Sequence, residues 1–98
     1  MTQVFKTIKV ILKVKEGKAE RPAYIVCDNE RNMVCAGVMG DFFSEEEAKR
    51  ISDRCNEIVD KDGIISYEKL QKIAEEIHHK YVFEPLAFHG LDKFGWSL

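Results

Sequence analysis

Two short apolar runs, Tyr24-Ile25-Val26-Cys27 and Met33-Val34-Cys35-Ala36, flank the polar stretch Asp28-Asn29-Glu30-Arg31-Asn32. Turn-forming residues between β-prone runs predict a hairpin. Both arms are apolar at odd and even positions alike, whereas a strand with one wet face alternates. The hairpin must therefore be covered on both sides. A sheet carrying helices on one face still needs a second cover, and that requirement narrows the folds open to this chain.

An earlier strand is expected ahead of the hairpin. Val4, Ile8, Val10, Leu12 and Val14 fall on even positions and Lys9, Lys13 and Lys15 on odd ones, with Ile11 interrupting the lysine row. This pattern gives one core face and one basic face. Gly17 to Pro22 reads as a polar connection to the hairpin.

Beyond Gly37 and Gly40 the period changes to that of a helix. Ser44 caps a helix start, Glu47 completes an S-x-x-E box, and Phe43 is placed to staple onto Ala48. Glu45, Glu46 and Glu47 suit the positive end of the helix dipole. Ala48, Ile51, Cys55, Ile58 and Val59 form an apolar stripe, and Glu45–Lys49, Glu46–Arg50 and Glu57–Lys61 have the spacing of exposed pairs. Asp62-Gly63 stops this helix. Ser66 starts a second, with Leu70, Ile73, Ala74, Ile77 and Tyr81 inward, and Glu84-Pro85 is expected to end it.

The predicted class is α+β: a three-stranded antiparallel sheet (β-β-β) followed by two amphipathic helices on one face. The 98 residues make a single domain, with a β-meander over 1–38, a helix pair over 44–84 and a tail over 85–98. From Val82 onward the chain holds Phe83, Phe88, Phe94 and Trp96, four of its ten aromatics, with neither a helical nor a strand period. A segment that apolar does not stay solvated. It is expected to cover the open sheet face or to form an interface with a second copy or a partner.

No motif names a reaction. The segment Val59 to Leu70 resembles the calcium loop of the EF-hand family in its helix–loop–helix setting, with Gly63 in the glycine place, Ile65 in the hydrophobic place, and Asp60 and Asp62 matching oxygen ligands. It departs from that family where Ile58 takes the first ligand position and Lys69 the position of the bidentate glutamate, so too few oxygens remain for a hard cation. Glu75-Glu76-Ile77-His78-His79 contains overlapping Glu-x-x-His spacings, but His79 points away from the inner stripe and His78 sits on its flank, so both read as exposed helix histidines. Cys27, Cys35 and Cys55 fall on apolar stretches, where a thiol behaves as a small hydrophobe. Asp41 in a Gly-flanked turn has no evident proton-transfer partner, although a pocket shared with His89 would change that. Neither catalytic residues, nor a metal, nor a cofactor is expected.

Charge separates along the chain. Residues 1–21 carry six basic and two acidic groups, +4, which leaves −6 for the rest, given the overall −2. A basic strand bearing Lys9, Lys13 and Lys15 can lie along a phosphate backbone, although no aromatics alternate with them to stack bases. The plainer alternative is that lysines on an outer strand discourage edge-to-edge pairing.

The leading expectation is a small non-catalytic protein-binding module of the cytoplasm, docking on a larger target or on itself as a homodimer. Phe88, Phe94, Trp96, Leu98 and the hairpin's Tyr24 are its candidate contact residues. A phage- or mobile-element-encoded inhibitor of a host complex fits its size. A nucleic-acid-associated protein using Lys9, Lys13 and Lys15 is the alternative. The lysines that punctuate Val4 to Val14 exclude a signal sequence or membrane span there, and an odd cysteine count suits a reducing compartment.

Overall fold

The computed structural model describes residues 3–13, 20–30, 33–37, 42–82 and 96–97, with the side chains of 11–13, 20–21 and 96–97 excepted. The elements are β1 (Phe5–Lys13), β2 (Glu20–Asp28), β3 (Val34–Cys35), α1 (Glu45–Asp62), α2 (Tyr67–His78) and β4 (Trp96–Ser97). The three antiparallel strands followed by two helices are those the sequence predicts. β2 starts at Glu20, so Arg21 and Pro22 belong to the strand and not to the connection before it.

The sheet order is β3-β2-β1-β4. β1 and β2 pair along their whole length, from Phe5 opposite Asp28 to Lys13 opposite Glu20. The hairpin turn is closed at its mouth by the Asp28 N–H donating to the Met33 carbonyl at 3.2 Å and by the Glu30 N–H donating to Asp28 Oδ1 at 3.1 Å. A carboxylate that receives the amide two residues on forms an Asx turn, a local reason for Asp at this position.

Alternation assigns the two faces. Phe5 and Thr7 of β1, Tyr24 and Val26 of β2 and Cys35 of β3 turn toward the helices. There Phe5, Val26, Met33 and Cys35 pack with Phe43, Ala48, Ile51, Cys55, Val59, Ile65, Leu70, Ile73, Ala74 and Val82 in one core. Val10, Ala23, Ile25, Cys27 and Val34 form a second buried cluster on the opposite face, with Ile8, Ala36 and Phe42 packed against it. Adjacent residues Ile25 and Val26, on opposite faces, are both 0% exposed. The two-sided burial read from the hairpin is thus present.

The tail as a cover for the sheet concerns residues 83–95 and 98, which lie outside the described residues. Its described part, Trp96–Ser97, adds a fourth strand beside β1, with Ile11 opposite Ser97 and Leu12 opposite Trp96. This corrects the placing of the lysine-bearing strand at the sheet's outer edge: at its carboxyl end β1 has a neighbour on each side. Near its start, α1 takes the place of a strand. Asn56 Oδ1 accepts the Phe5 N–H at 2.7 Å, and Asn56 Nδ2 donates to the Phe5 carbonyl at 3.1 Å. One carboxamide thereby supplies both hydrogen bonds that a neighbouring strand would give. Thr7 Oγ1 and Ser52 Oγ lie 3.1 Å apart, and Ser52 Oγ donates to the Ala48 carbonyl, so this face of α1 is fixed to β1 by polar as well as apolar packing.

The helix signals hold at three of four ends. Ser44 accepts the Glu47 N–H and Glu47 returns the bond, while Ser66 accepts the Lys69 N–H. Gly63 ends α1 in the left-handed region at φ 82°, its N–H bonded to the Val59 carbonyl at 2.8 Å. Asp60 and Asp62 are exposed residues of the helix itself, so the segment resembling a calcium loop is a helix end and its cap. The expected stop at Glu84-Pro85 is corrected. α2 ends at His78, because His79 turns left-handed at φ 59° and its N–H caps the Glu75 carbonyl at 2.8 Å. Tyr81, expected inward, is consequently 63% exposed, and Val82 enters the core, bridging Gly37 beside β3. Gln71 Nε2 donates to the Val82 carbonyl at 2.8 Å, which holds the chain down after the turn. Among the described residues, the exposed pair on α1 joins Arg54 to Glu57 at 3.1 Å, at i,i+3 spacing instead of the i,i+4 pairs expected.

Two substitutions check this account. Asn56→Ala leaves the buried strand end at Phe5 without its partners and should cost about 2 kcal/mol in chemical denaturation. Gly63→Ala meets no atom within 4 Å, so its expected loss of about 1 kcal/mol reports the left-handed backbone alone.

A candidate partner-binding concavity

The amino end of α1, the carboxyl end of α2 and the near end of β2 converge on an open concavity of about 490 Å³. Pro22 and Tyr24 come from β2, Phe42 and Phe43 from the approach to α1, Ser44, Glu45 and Glu47 from its first turn, and His78 and Lys80 from the end of α2. Tyr24 and Phe43 are joined by an antiparallel bridge, which brings the helix start onto the sheet. Pro22 then follows along the same strand edge. Having no N–H, it cannot extend that pairing, and the edge ends there as a surface of side chains.

Glu47 organises the floor. One carboxylate oxygen, Oε1, accepts the Ser44 N–H at 2.8 Å and completes the cap of α1. The other, Oε2, lies 2.9 Å from His78 Nδ1. His78 is only 6% exposed, and its ring meets Phe43 edge to face with centroids 5.1 Å apart. A single carboxylate therefore ties the start of one helix to the end of the other. It sits where each helix dipole favours its partner, with the anion at an amino end and imidazole at a carboxyl end. Partial burial pushes the Glu47 carboxyl up, but the Ser44 backbone bond and His78 outweigh it and hold the group below its ordinary value.

The burial of His78 corrects its reading as an exposed helix histidine. Leu70, Ala74 and His78 succeed one another at four-residue steps on one helix row, and the first two of these were assigned inward. That row was the available signal. His79 is exposed, as expected, but as the left-handed cap of α2. Phe43 is expected only as a staple onto Ala48, since nothing local indicates that a β-bridge carries it beside Tyr24.

Of the candidate contact residues, Tyr24 is half-buried in the concavity. Trp96 is placed by its backbone in β4. Phe88, Phe94 and Leu98 lie outside the described residues, as do Asp41 and His89. Of the candidate basic residues, Lys9 is exposed and stands directly opposite Tyr24 in the β1–β2 register. Directly opposed strand residues share a face, so the structure brings these two candidates together. Lys13 closes β1 with its side chain outside the described set, and Lys15 lies outside it altogether.

Cys27, Cys35 and Cys55 are buried thiols outside any disulfide, as expected of small hydrophobes. Burial pushes the Cys55 thiol up to about 12. It raises Cys35 as well, where Cys55 and Glu75 nearby add to the effect. Such thiols are not activated nucleophiles.

Among the described residues no helix is long and apolar enough to cross a membrane. No family model, curated protein or solved structure matches this chain.

The sign of the Glu47 effect gives a pH prediction. A carboxyl whose folded value is depressed stabilises fully above its ordinary value of 4.5 and loses that contribution as pH falls through the folded value. Glu47→Gln should therefore show a shallower loss of melting temperature between neutral pH and pH about 3 than the parent chain. Equal slopes would mean that the carboxylate is not held as described.

Proposed function

We propose that this chain is a small, non-catalytic protein-binding module that docks through the concavity at Tyr24, with the aromatic carboxyl-terminal stretch as a second contact. The supporting observation is how the polar groups of the concavity are used. Ser44, Glu47 and His78 are bonded to one another in joining the two helices. The concavity also presents the exposed Pro22 and the half-buried ring of Tyr24, with the exposed Glu45 beside them. An aromatic patch bordered by charge is the composition of protein interfaces.

The test is site-specific photocrosslinking of the full chain in the cells that make it. A benzoylphenylalanine in place of Tyr24 should yield one dominant protein adduct, of the mass of a partner or of a second copy. The same group in place of exposed Lys49 should yield none. Equal labelling at both positions, or none at either, would overturn the proposal.

One observation favours a second reading, nucleic-acid binding. The basic strand has no stacking aromatic of its own, but Tyr24 stands opposite Lys9 on the neighbouring strand. If this pair holds a single strand, a labelled oligonucleotide should bind with steep salt dependence and weaken on Lys9→Glu. Protein docking at Tyr24 should instead change little with salt.

A further inference from the structure

We infer that the concavity takes a cationic side chain, an arginine above all, presented by the partner protein. This rests on the protein-binding reading and names the chemistry of the partner. The lining joins the half-buried ring of Tyr24 to two carboxylates, Glu45 and Glu47, from the first turn of α1. Aromatic faces beside carboxylates attract a cation in two ways: the ring quadrupole holds it from one side and the anion from the other. A guanidinium also lies flat on a ring while its edge donates to a carboxylate, which an ammonium does less well.

Charge complementarity supports the same occupant. Glu45 is exposed at the rim, followed by the exposed Glu46 in the same helical turn. Beyond residue 21 the chain carries the −6 that follows from +4 in the first 21 residues and −2 overall. Glu47 contributes less than Glu45, because its oxygens already serve Ser44 and His78.

Two lysines bear on the site with the opposite sign. Lys80 lines it, and Lys9 faces Tyr24 from the adjacent strand. Lys9 repels a cation on the β1 side of Tyr24, which leaves the approach along Glu45. The edge of β2 at Pro22 cannot add a strand, so the partner offers a side chain to the concavity and not a backbone to the sheet.

The probe is N-acetyl-arginine methylamide, titrated into the isotope-labelled full chain and followed by amide NMR, with the neutral isostere N-acetyl-citrulline methylamide as control. The expected result is saturable shifts at Tyr24 and Phe42 to Glu45, in the millimolar range, with citrulline at least about fivefold weaker. Glu45→Gln should weaken the arginine probe about threefold and Lys9→Gln should strengthen it, the reverse of what a phosphate-binding role for Lys9 requires. Both substitutions are at exposed positions, and the parent spectrum away from the site checks that each variant folds. Equal response to arginine and citrulline, shifts spread over the whole acidic surface, or weakening by Lys9→Gln would overturn the inference. Crosslinking at position 24 together with no arginine response would leave the binding reading standing and remove only this choice of partner.

Discussion

The structure depends on one strand having no wet side. In β2, Ala23, Ile25 and Cys27 are buried on one face of the sheet and Val26 on the other, so each successive side chain must find apolar company in a different layer. Burial of that kind stabilises by roughly 25 cal/mol per Å² of apolar surface, and it does so only if both layers are complete. It explains why the helices pack against one face and why the other face is buried as well. It also leaves β2 partly open only near its start, where Pro22 and Tyr24 extend past the densest packing and become the wall of the concavity.

Polar groups follow from that arrangement. A helix laid on a sheet leaves strand ends and helix ends with unsatisfied backbone groups, which cannot remain bare once buried. Asn56 answers this at the start of β1 by standing in for a strand, and Glu47 answers it at the start of α1 while reaching across to His78. These side chains look like a hydrogen-bonding dyad or a polar cluster if taken alone. Within the fold they are joints. A carboxylate and imidazole in a concavity suggest proton transfer, but here one oxygen of the carboxylate closes a helix cap and the ring packs on Phe43. The recognition role proposed for the site rests on that use of the two groups.

Tyr24 and Lys9 illustrate how the candidate residues regroup. They belong to different runs of sequence and were put forward for different partners, yet the β1–β2 register sets them opposite each other. The register follows from which side of each strand is apolar, so a one-residue slip would have separated them onto opposite faces. The same reasoning accounts for His78. From sequence it is expected to be exposed on the flank of the stripe, although it shares a helix row with Leu70 and Ala74. Its partner lies 31 residues away in the other helix, a range that no local pattern announces.

Local physics was sufficient for the strand-strand-strand-helix-helix order, for the two-sided hairpin and for three helix ends. Alternation, capping serines and a glycine after the last turn each act within a few residues and need no knowledge of the rest of the chain. The end of α2 escaped because a histidine took the left-handed cap that glycine usually fills, and the energy that makes this acceptable comes from seating Val82 in the core. The position of Trp96–Ser97 beside β1, the strand-like role of Asn56 and the concavity where Tyr24 meets Phe43 were settled only by folding. Each joins segments far apart in the chain, and such contacts are fixed by the shape of the completed core, not by any propensity of the residues that make them.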